Sequence, residues 1–192
     1  MSGYGINIAD FDNDGWKDIF VARGDVGSPN MSDTVRVNQP NTVFRNLNGR
    51  WEALTGQAGF DAMAPQRHRG SAAADFNGDG KLDVVVSALS APAEIWINDS
   101  PGNSHWIELA VEGTKSNRDG IGARIQLTAG GKRQFNSMTT ASSYASSSAV
   151  PVHFGLGDSR IAEEIEIRWP SGTVQTLKNV AADRIVQVKE PR

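Results

Sequence analysis

The sequence contains no cysteine, which excludes disulfide bonds, thiol catalysis and zinc or iron–sulfur sites built on cysteine. It has no apolar run near the roughly 18–20 residues of a membrane-spanning helix, and no signal peptide is visible in its first five residues. The 19 Lys and Arg against 22 Asp and Glu give a formal charge of −3, so the bulk charge argues against a nucleic-acid-binding protein. The remaining composition, 39% hydrophobic over 192 residues, is typical of one large or two small globular domains.

The first half of the chain is the acidic half, and it contains an internal repeat. Residues 1–100 have 13 acidic and 8 basic side chains, whereas residues 101–192 have 9 and 11. Gly5–Ala22 aligns with Gly70–Ser87 without a gap, with 8 identities in 18 positions at an offset of 65 residues. Each copy ends in a short apolar run that is typical of a buried strand.

A second similarity follows each copy, where Val43–Asn46 resembles Ile95–Asn98. The asparagine that ends this segment comes 36 residues after Asp10 in the first unit but only 23 residues after Asp75 in the second. The difference predicts a loop insertion around 24–40. Each unit is therefore expected to be a strand, an acidic loop, a strand and a further strand that ends in Asn. No long stretch has helical periodicity, so the pattern predicts an all-β chain that begins with two propeller-type blades, a partial β-propeller.

The two acidic loops both fit the pattern D-x-[DN]-x-D-G-x-x-D, and each predicts a calcium site. Calcium binds six to eight oxygens at roughly 2.3–2.6 Å, and a glycine at position 6 allows the loop to curl around it. The first loop offers as ligands Asp10, Asp12, Asp14, the carbonyl of Trp16 and Asp18. The second offers Asp75, Asn77, Asp79, the carbonyl of Lys81 and Asp83. Without a cation these carboxylates would repel one another.

The loops are not EF-hands, because that motif needs a bidentate Glu at position 12. Position 12 is Val21 in the first loop and Val86 in the second, and both lie in the apolar strands. A carboxylate at position 9 that completes the coordination shell is expected of a strand–loop–strand site. Magnesium is disfavoured because it keeps several waters. The competing interpretation is that these are Asx-turns in acidic surface loops.

The second half alternates apolar and polar residues in short strands, which predicts an antiparallel β-sandwich. A turn-rich segment at 98–103 marks the expected boundary, so the predicted domains are 1–100 and 103–192. The polar loop Ser116–Gly120 is interpreted as an Asx-type turn, with ligand binding as the alternative. The three histidines lack metal-ligand spacing and no G-x-S-x-G motif occurs, so no catalytic or cofactor-binding residue is assigned.

Residues 3–100 resemble FG-GAP/VCBS repeats, the calcium-loop blades of propellers, on the strength of the two acidic loops. The second half resembles the ASPIC/UnbV domain of cartilage-acidic-protein-like chains. The stretches that carry this second resemblance are Asn103–Ile107, Gly113–Ala123, His153–Gly157 and Arg168–Val174. Together the resemblances imply a secreted or periplasmic protein with a sandwich-like module. They supply no known reaction, although some relatives are linked to natural-product biosynthesis.

The function expected from the sequence is a non-catalytic, calcium-stabilised binding module with two calcium sites and a protein or glycan partner. Two blades do not close a propeller, so further blades before this chain are expected, with a compact two-blade remnant as the alternative. The rival hypothesis is a natural-product tailoring enzyme with its site between the two halves. It requires a cleft with two or more titratable groups of shifted pKa, and the sequence offers no such pair. A supporting role for a missing catalytic region is a third hypothesis.

Overall fold

A computed structural model describes residues 2–26, 37–148 and 151–192. Most of the insertion expected around 24–40 lies outside these residues. The described chain consists of β-strands joined by turns and loops, which confirms the all-β prediction. The strands form four separate sheets, two in the repeat region and two in the second half.

The two repeat units form two sheets, each a simple meander of antiparallel neighbours. The first sheet contains β1 (Gly3–Ala9), β2 (Asp18–Arg23), β3 (Thr42–Leu47) and β4 (Arg50–Leu54). The second sheet contains β5 (His68–Ala74), β6 (Asp83–Ala88) and β7 (Ala91–Trp96). The apolar runs at the ends of the repeat copies form β2 and β6, as predicted. In both sheets the acidic loop connects the first strand to the second, so the two loops occupy equivalent positions.

The second half folds as two facing sheets. One sheet has the strand order β10–β9–β12–β13, and the other has the order β11–β8–β14. Their bounds are β8 (His105–Glu112), β9 (Arg124–Ala129), β10 (Lys132–Ser137), β11 (Val152–Gly157), β12 (Ile161–Arg168), β13 (Val174–Ala181) and β14 (Arg184–Lys189). Turns at 130–131 and 170–172 make the hairpins β9–β10 and β12–β13.

One strand pair departs from the antiparallel sandwich that the sequence predicts. Strand β14 pairs with β8 in parallel, with Val186 opposite Leu109. The alternating pattern of a strand does not specify the direction of its neighbour, and this direction follows from how the chain crosses from β13 to the opposite sheet. Because parallel strands end at the same edge, residues after β14 lie beside the loop that follows β8.

The hydrophobic core is divided into two clusters. The larger one fills the space between the two sheets of the sandwich and includes Ile107, Leu109 and Ile165, all fully buried. The smaller one lies in the repeat region and includes Phe20 and Phe60. The alternation of β8 directs Ile107 and Leu109 into the sandwich core. The residue between them, Glu108, therefore faces the other way, toward the repeat region.

Candidate metal centre

The two acidic loops have the same backbone framework, held by the aspartate at position 1. The Asp10 carboxylate accepts hydrogen bonds from the backbone N–H groups of Asp14 (3.1 Å) and Gly15 (2.8 Å). In the second loop the Asp75 carboxylate accepts the corresponding bond from Gly80 at 2.8 Å. The position-6 glycines have φ of 87° at Gly15 and 84° at Gly80, in the left-handed region that glycine tolerates. The glycine prediction is therefore confirmed.

The aspartate at position 9 joins each loop to the third strand of its unit. The Asp18 carboxylate accepts the N–H groups of Phe11 (3.1 Å) and Asn46 (2.8 Å). The Asp83 carboxylate accepts those of Phe76 (2.8 Å) and Asn98 (2.7 Å).

The repeated asparagines complete this connection, because the side chain of Asn46 donates to the carbonyl of Lys17 and that of Asn98 to the carbonyl of Leu82, each at 3.1 Å. The second sequence similarity, around 43–46 and 95–98, thus preserves an asparagine that ties the third strand to the acidic loop.

Three carboxylates converge in the first loop. Asp10, Asp12 and Asp18 each bring one oxygen within 4.8 Å of the others, the only such group of three acidic or histidine ligands within the described residues. Asp10 and Asp18 are buried at 5% and 1% exposure. The Oδ2 of Asp12 accepts a bond from Arg45 Nε at 2.7 Å. Its Oδ1 is buried without a hydrogen-bond partner, which leaves an acceptor free inside the loop.

The electrostatics of the first loop resist full ionisation. Burial raises the pKa of Asp10 to about 8, with further increases from the neighbouring Asp14, Asp12 and Asp18, against a decrease from the Gly15 N–H. Burial likewise raises the pKa of Asp18 to about 6 and raises the pKa of Asp14. Closely spaced, desolvated carboxylates are stabilised as anions by a bound cation, so this donor set fits a divalent metal.

The position-5 aspartates have a local role in both loops. The Oδ1 of Asp14 accepts the N–H of Trp16, and the Oδ1 of Asp79 accepts the N–H of Lys81, each at 2.8 Å. These are the Asx-turns of the competing interpretation. A carboxylate has a second oxygen for another partner, so the turns do not prevent these side chains from acting as ligands.

The second loop is the more exposed of the two. Asn77 and Asp79 are exposed, and the Asn77 amide donates to the Asp79 carboxylate at 3.0 Å. Within the described residues, Asp75, Asp79 and Asp83 do not form a convergent group like that of the first loop. The backbone framework for a cation is present here, but the side chains are directed toward one another and toward the backbone.

Both loops meet the sandwich at the carbonyl oxygen of Gly80. This oxygen accepts a bond from the Asn13 side chain at 3.0 Å and contacts Nε2 of His153 at 3.1 Å. A Cβ on Gly80 would lie 1.8 Å from the Trp106 indole nitrogen, so the indole rests directly against this glycine. The first loop is packed as closely, because a Cβ on Gly155 would lie 2.4 Å from the Cα of Asn13.

The sandwich face that contacts the loops contains two titratable groups that sequence reasoning did not assign. Glu108 lies opposite His153 in the β8–β11 pair, and the two are 4% and 8% exposed. Burial, and then the charge of Asp75, raises the pKa of Glu108 to about 7. Burial lowers the pKa of His153 to about 4. In the alternating sequence of β8, Glu108 occupies a polar position, which predicts exposure to solvent. No sequence signal therefore indicated that Glu108 is buried.

The segment Thr114–Ser116, which leads into the polar loop Ser116–Gly120, is held by the carboxylate of Glu190. Glu190 accepts backbone N–H groups from Thr114 (2.8 Å), Lys115 (2.8 Å) and Ser116 (2.7 Å). It also accepts the hydroxyl of Ser116 at 3.0 Å and that of Ser171. These hydrogen bonds outweigh burial and lower the pKa of Glu190 to about 2. Within the loop, the Asn117 side chain donates to the Ile121 carbonyl and accepts the Ile121 N–H, each at 2.8 Å, which supports the structural interpretation of this loop.

Comparison with known proteins places two family matches on the chain. Residues 10–86 match the FG-GAP-like repeat, and residues 113–192 match the ASPIC and UnbV family. Both resemblances inferred from the motifs are therefore confirmed. Within the described residues no helix is both long enough and apolar enough to cross a membrane.

Three vertebrate proteins are similar to almost the whole chain. Cartilage acidic protein 1 of Homo sapiens is 27% identical over 190 residues, which is 95% of this chain and 27% of that protein. The Mus musculus protein of the same name is 25% identical over 190 residues, with the same two coverages. The Xenopus tropicalis protein is 27% identical over 94% of this chain and 27% of its own length. The chain thus spans about a quarter of the length of these relatives.

Proposed function

We propose that this chain, in which an FG-GAP-like repeat region precedes an ASPIC/UnbV domain, is a non-catalytic, calcium-stabilised binding module of an extracellular or periplasmic protein. The observation that carries the proposal is the convergence of Asp10, Asp12 and Asp18 in a buried loop with an unpartnered Asp12 oxygen. FG-GAP-like repeats and relatives named for cartilage support the location. The partner is a protein or a glycan.

In this proposal the first loop holds calcium through Asp10, Asp12, Asp14 and Asp18 with the carbonyl of Trp16. A bound calcium supplies the positive charge that offsets their mutual repulsion. Asp10 and Asp18 already have fixed orientations, because backbone N–H groups hold them. Arg45 shares the Asp12 carboxylate and so competes with the metal for it.

The second loop is the proposed second calcium site, formed by Asp75, Asn77, Asp79 and Asp83 with the carbonyl of Lys81. It has three carboxylates where the first loop has four, and it is more exposed. We therefore expect weaker calcium binding here, because fewer charges attract the ion and solvent screens them more.

Calcium in this module would set the geometry of a surface. Both loops are packed against the sandwich through Gly80 and Gly155, so ordering the loops also orders the junction. The two repeat sheets would be adjacent blades of a propeller that the rest of a longer protein completes. Their exposed strand edges and faces would then meet neighbouring blades or the partner.

The enzyme alternative depends on a cleft with titratable groups of shifted pKa, and the junction contains such groups. One of these groups is Asp10, but it belongs to the proposed calcium loop. His153 has a pKa lowered to about 4, and its Nε2 faces the Gly80 carbonyl. The neutral His153 ring already donates its N–H proton to this fixed backbone oxygen. The arrangement therefore favours a role for His153 in ligand binding over a role in proton transfer.

Asp12→Asn tests the calcium proposal, because it removes one charge from the convergent group and keeps the side-chain size. Calcium at a hundred times its Kd adds about 2.7 kcal/mol to stability, and about 1 kcal/mol moves the Tm of a chain this size by roughly 2–4 °C. We expect the wild-type Tm to rise by about 5–10 °C on adding calcium, and calorimetry to show at least a tenfold weaker first site in D12N.

Asp61→Asn is the matched control, since Asp61 is an exposed aspartate of the repeat region outside both loops. D61N should keep the wild-type response to calcium. A wild-type protein that shows neither calcium heat nor thermal stabilisation would refute the proposal, as would identical responses of D12N and D61N.

A further inference from the structure

A cavity of about 330 Å³ lies between the repeat region and the sandwich, near the lower end of the usual size of small-molecule sites. Its repeat-side wall includes Asn7, Lys17 and Asp75, and its sandwich-side wall includes Glu108 and His153. Asp10 and Asp75, the position-1 aspartates of the two acidic loops, both line this cavity. No step of the proposed calcium binding uses Glu108.

Glu108 is the unusual group in this cavity. It is 4% exposed, and within the described residues its carboxylate forms no hydrogen bond or ion pair. A buried polar group without a partner is costly, and a buried charge without one is more so. The Glu108 oxygens are not among the fully enclosed atoms without a partner in the described residues, so the carboxylate faces the cavity, where a ligand can supply the partner that the protein does not.

The other polar groups nearby do not supply that partner. Lys17 lines the same cavity, but no ion pair joins it to Glu108 in the part of the chain that the structure describes. His153 lies opposite Glu108 in the strand pair. Because His153 Nε2 faces the Gly80 carbonyl, its Nδ1 is the unprotonated nitrogen of the neutral ring, and this atom also has no partner.

The sandwich side of the cavity therefore presents the Glu108 carboxylate beside an apolar wall. Glu108 contributes negative charge from the sandwich side, and Asp75 contributes it from the repeat side. Apolar surface is provided by Met138, Val152, Phe154 and Ile185. A ligand that matches both features has a positively charged donor group and a small hydrocarbon body.

We propose that this cavity binds a small organic cation, with the Glu108 carboxylate as the ionic partner of its ammonium group. A metal ion fits less well, because Glu108 belongs to no convergent group of three acidic or histidine ligands in the described ranges. An anion would meet Glu108 and Asp75 unfavourably. The site goes beyond the calcium module and shares Asp75 with the proposed second calcium loop, but its ionic partner, Glu108, is not a proposed calcium ligand.

The test uses ammonium compounds and neutral molecules of the same shape. Butylamine, benzylamine and tyramine are titrated by NMR against their uncharged counterparts butan-1-ol, benzyl alcohol and 4-(2-hydroxyethyl)phenol, in saturating calcium and again with chelator. At least one amine should bind ten or more times tighter than its neutral counterpart, with the largest shifts at Glu108 and His153. If no amine is preferred over its counterpart, the proposal is wrong.

Glu108→Gln should reduce the preference for the amine over its neutral counterpart at least tenfold, because glutamine keeps the shape of the side chain and loses its charge. Glu164→Gln is the control, since Glu164 is on the exposed face of β12. Without ligand, the Tm of E108Q should equal or exceed that of the wild type, because an unpaired buried carboxylate is removed. Unchanged amine binding in E108Q, or a Tm well below the wild type, would show that Glu108 has only a structural role. Calcium binding is measured on the same samples, so a failure here is distinguishable from a failure of the calcium proposal.

Discussion

At the scale of single residues, carboxylates that are similarly buried have opposite properties. Asp10 accepts two backbone N–H groups and Glu108 accepts none, and burial raises the pKa of each. Glu190 is as thoroughly covered, but three backbone N–H groups and two hydroxyls stabilise its anion and lower its pKa. Burial alone therefore does not decide the charge of an acid, and the supply of donors does. The first two are candidates for binding a cation, whereas Glu190 fixes a loop.

Glu190 should make the stability of the protein depend on pH in the acidic range. Its pKa is about 2 in the folded chain and 4.5 as the ordinary value, so its contribution is fully present above pH 4.5 and is lost as the pH falls toward 2. Urea unfolding should show Glu190→Gln clearly less stable than the wild type at pH 7, with a difference that narrows below pH 4.5. A pH-independent difference, or one like that of Glu164→Gln, would contradict this assignment.

At the scale of elements, two glycines allow the sandwich to approach the acidic loops. Gly80 is the position-6 residue of the second loop and lies under Trp106, whereas Gly155 belongs to β11 and lies against the first loop. A Cβ on Gly155 would lie 2.2 Å from Asp10 Oδ2 and 2.4 Å from the Asn13 Cα, too close for any side chain. The stretch His153–Gly157, a part of the ASPIC/UnbV resemblance, thus includes a direct contact with a proposed calcium ligand.

Gly155→Ala should therefore weaken the first calcium site as well as the fold. The new methyl group must displace Asp10 or the backbone at Asn13, so we expect a loss of about 1–3 kcal/mol of stability and a severalfold weaker calcium affinity. Gly131→Ala is the control, because Gly131 has φ of 74° and open space around it and incurs only the backbone cost. Calorimetry and urea unfolding of both variants measure this, and equal calcium affinities would contradict the expectation.

At the scale of the whole molecule, the repeat region and the sandwich have separate cores but a shared junction. The first loop reaches both sheets of the sandwich, since Gly157 donates to the Asn13 carbonyl at 2.8 Å and Lys132 donates to the Asp14 carbonyl at 3.0 Å. The segment before β11 bonds to the repeat sheets, with Ser148 accepting from the Asn7 side chain at 3.2 Å and from Ala73 at 3.1 Å. Loop order and sandwich stability are therefore linked.

Removal of calcium should accordingly affect both halves in one transition. We expect chelator to lower the Tm by the same amount whether unfolding is followed by tryptophan fluorescence or by calorimetry, because the junction couples the loops to the sandwich. Magnesium at the same concentration is the control and should restore little of the loss. A sandwich that melts separately, at a temperature unaffected by chelator, would show that the halves are independent.

Much of the local structure could be predicted because it depends on neighbours in the sequence. The run of apolar residues after each acidic loop predicted β2 and β6, and the glycines at 15 and 80 predicted the positive φ of the loops. Strand β4 was not predicted, since its residues Arg50–Leu54 are largely exposed and lack the alternation that marks a half-buried strand. The domain boundary and the ligand set stay predictions.

The sequence by itself determined the glycine-bearing acidic loops and the all-β character, since each of these depends on residues within about ten positions of one another. Only the tertiary structure decided that Arg45 shares Asp12, that β14 runs parallel to β8, and that Glu108 is enclosed beside His153 without a partner. These features join segments that are far apart in the chain. A strand pattern specifies which side of a strand is apolar but not what covers the other side, and here the two acidic loops cover it.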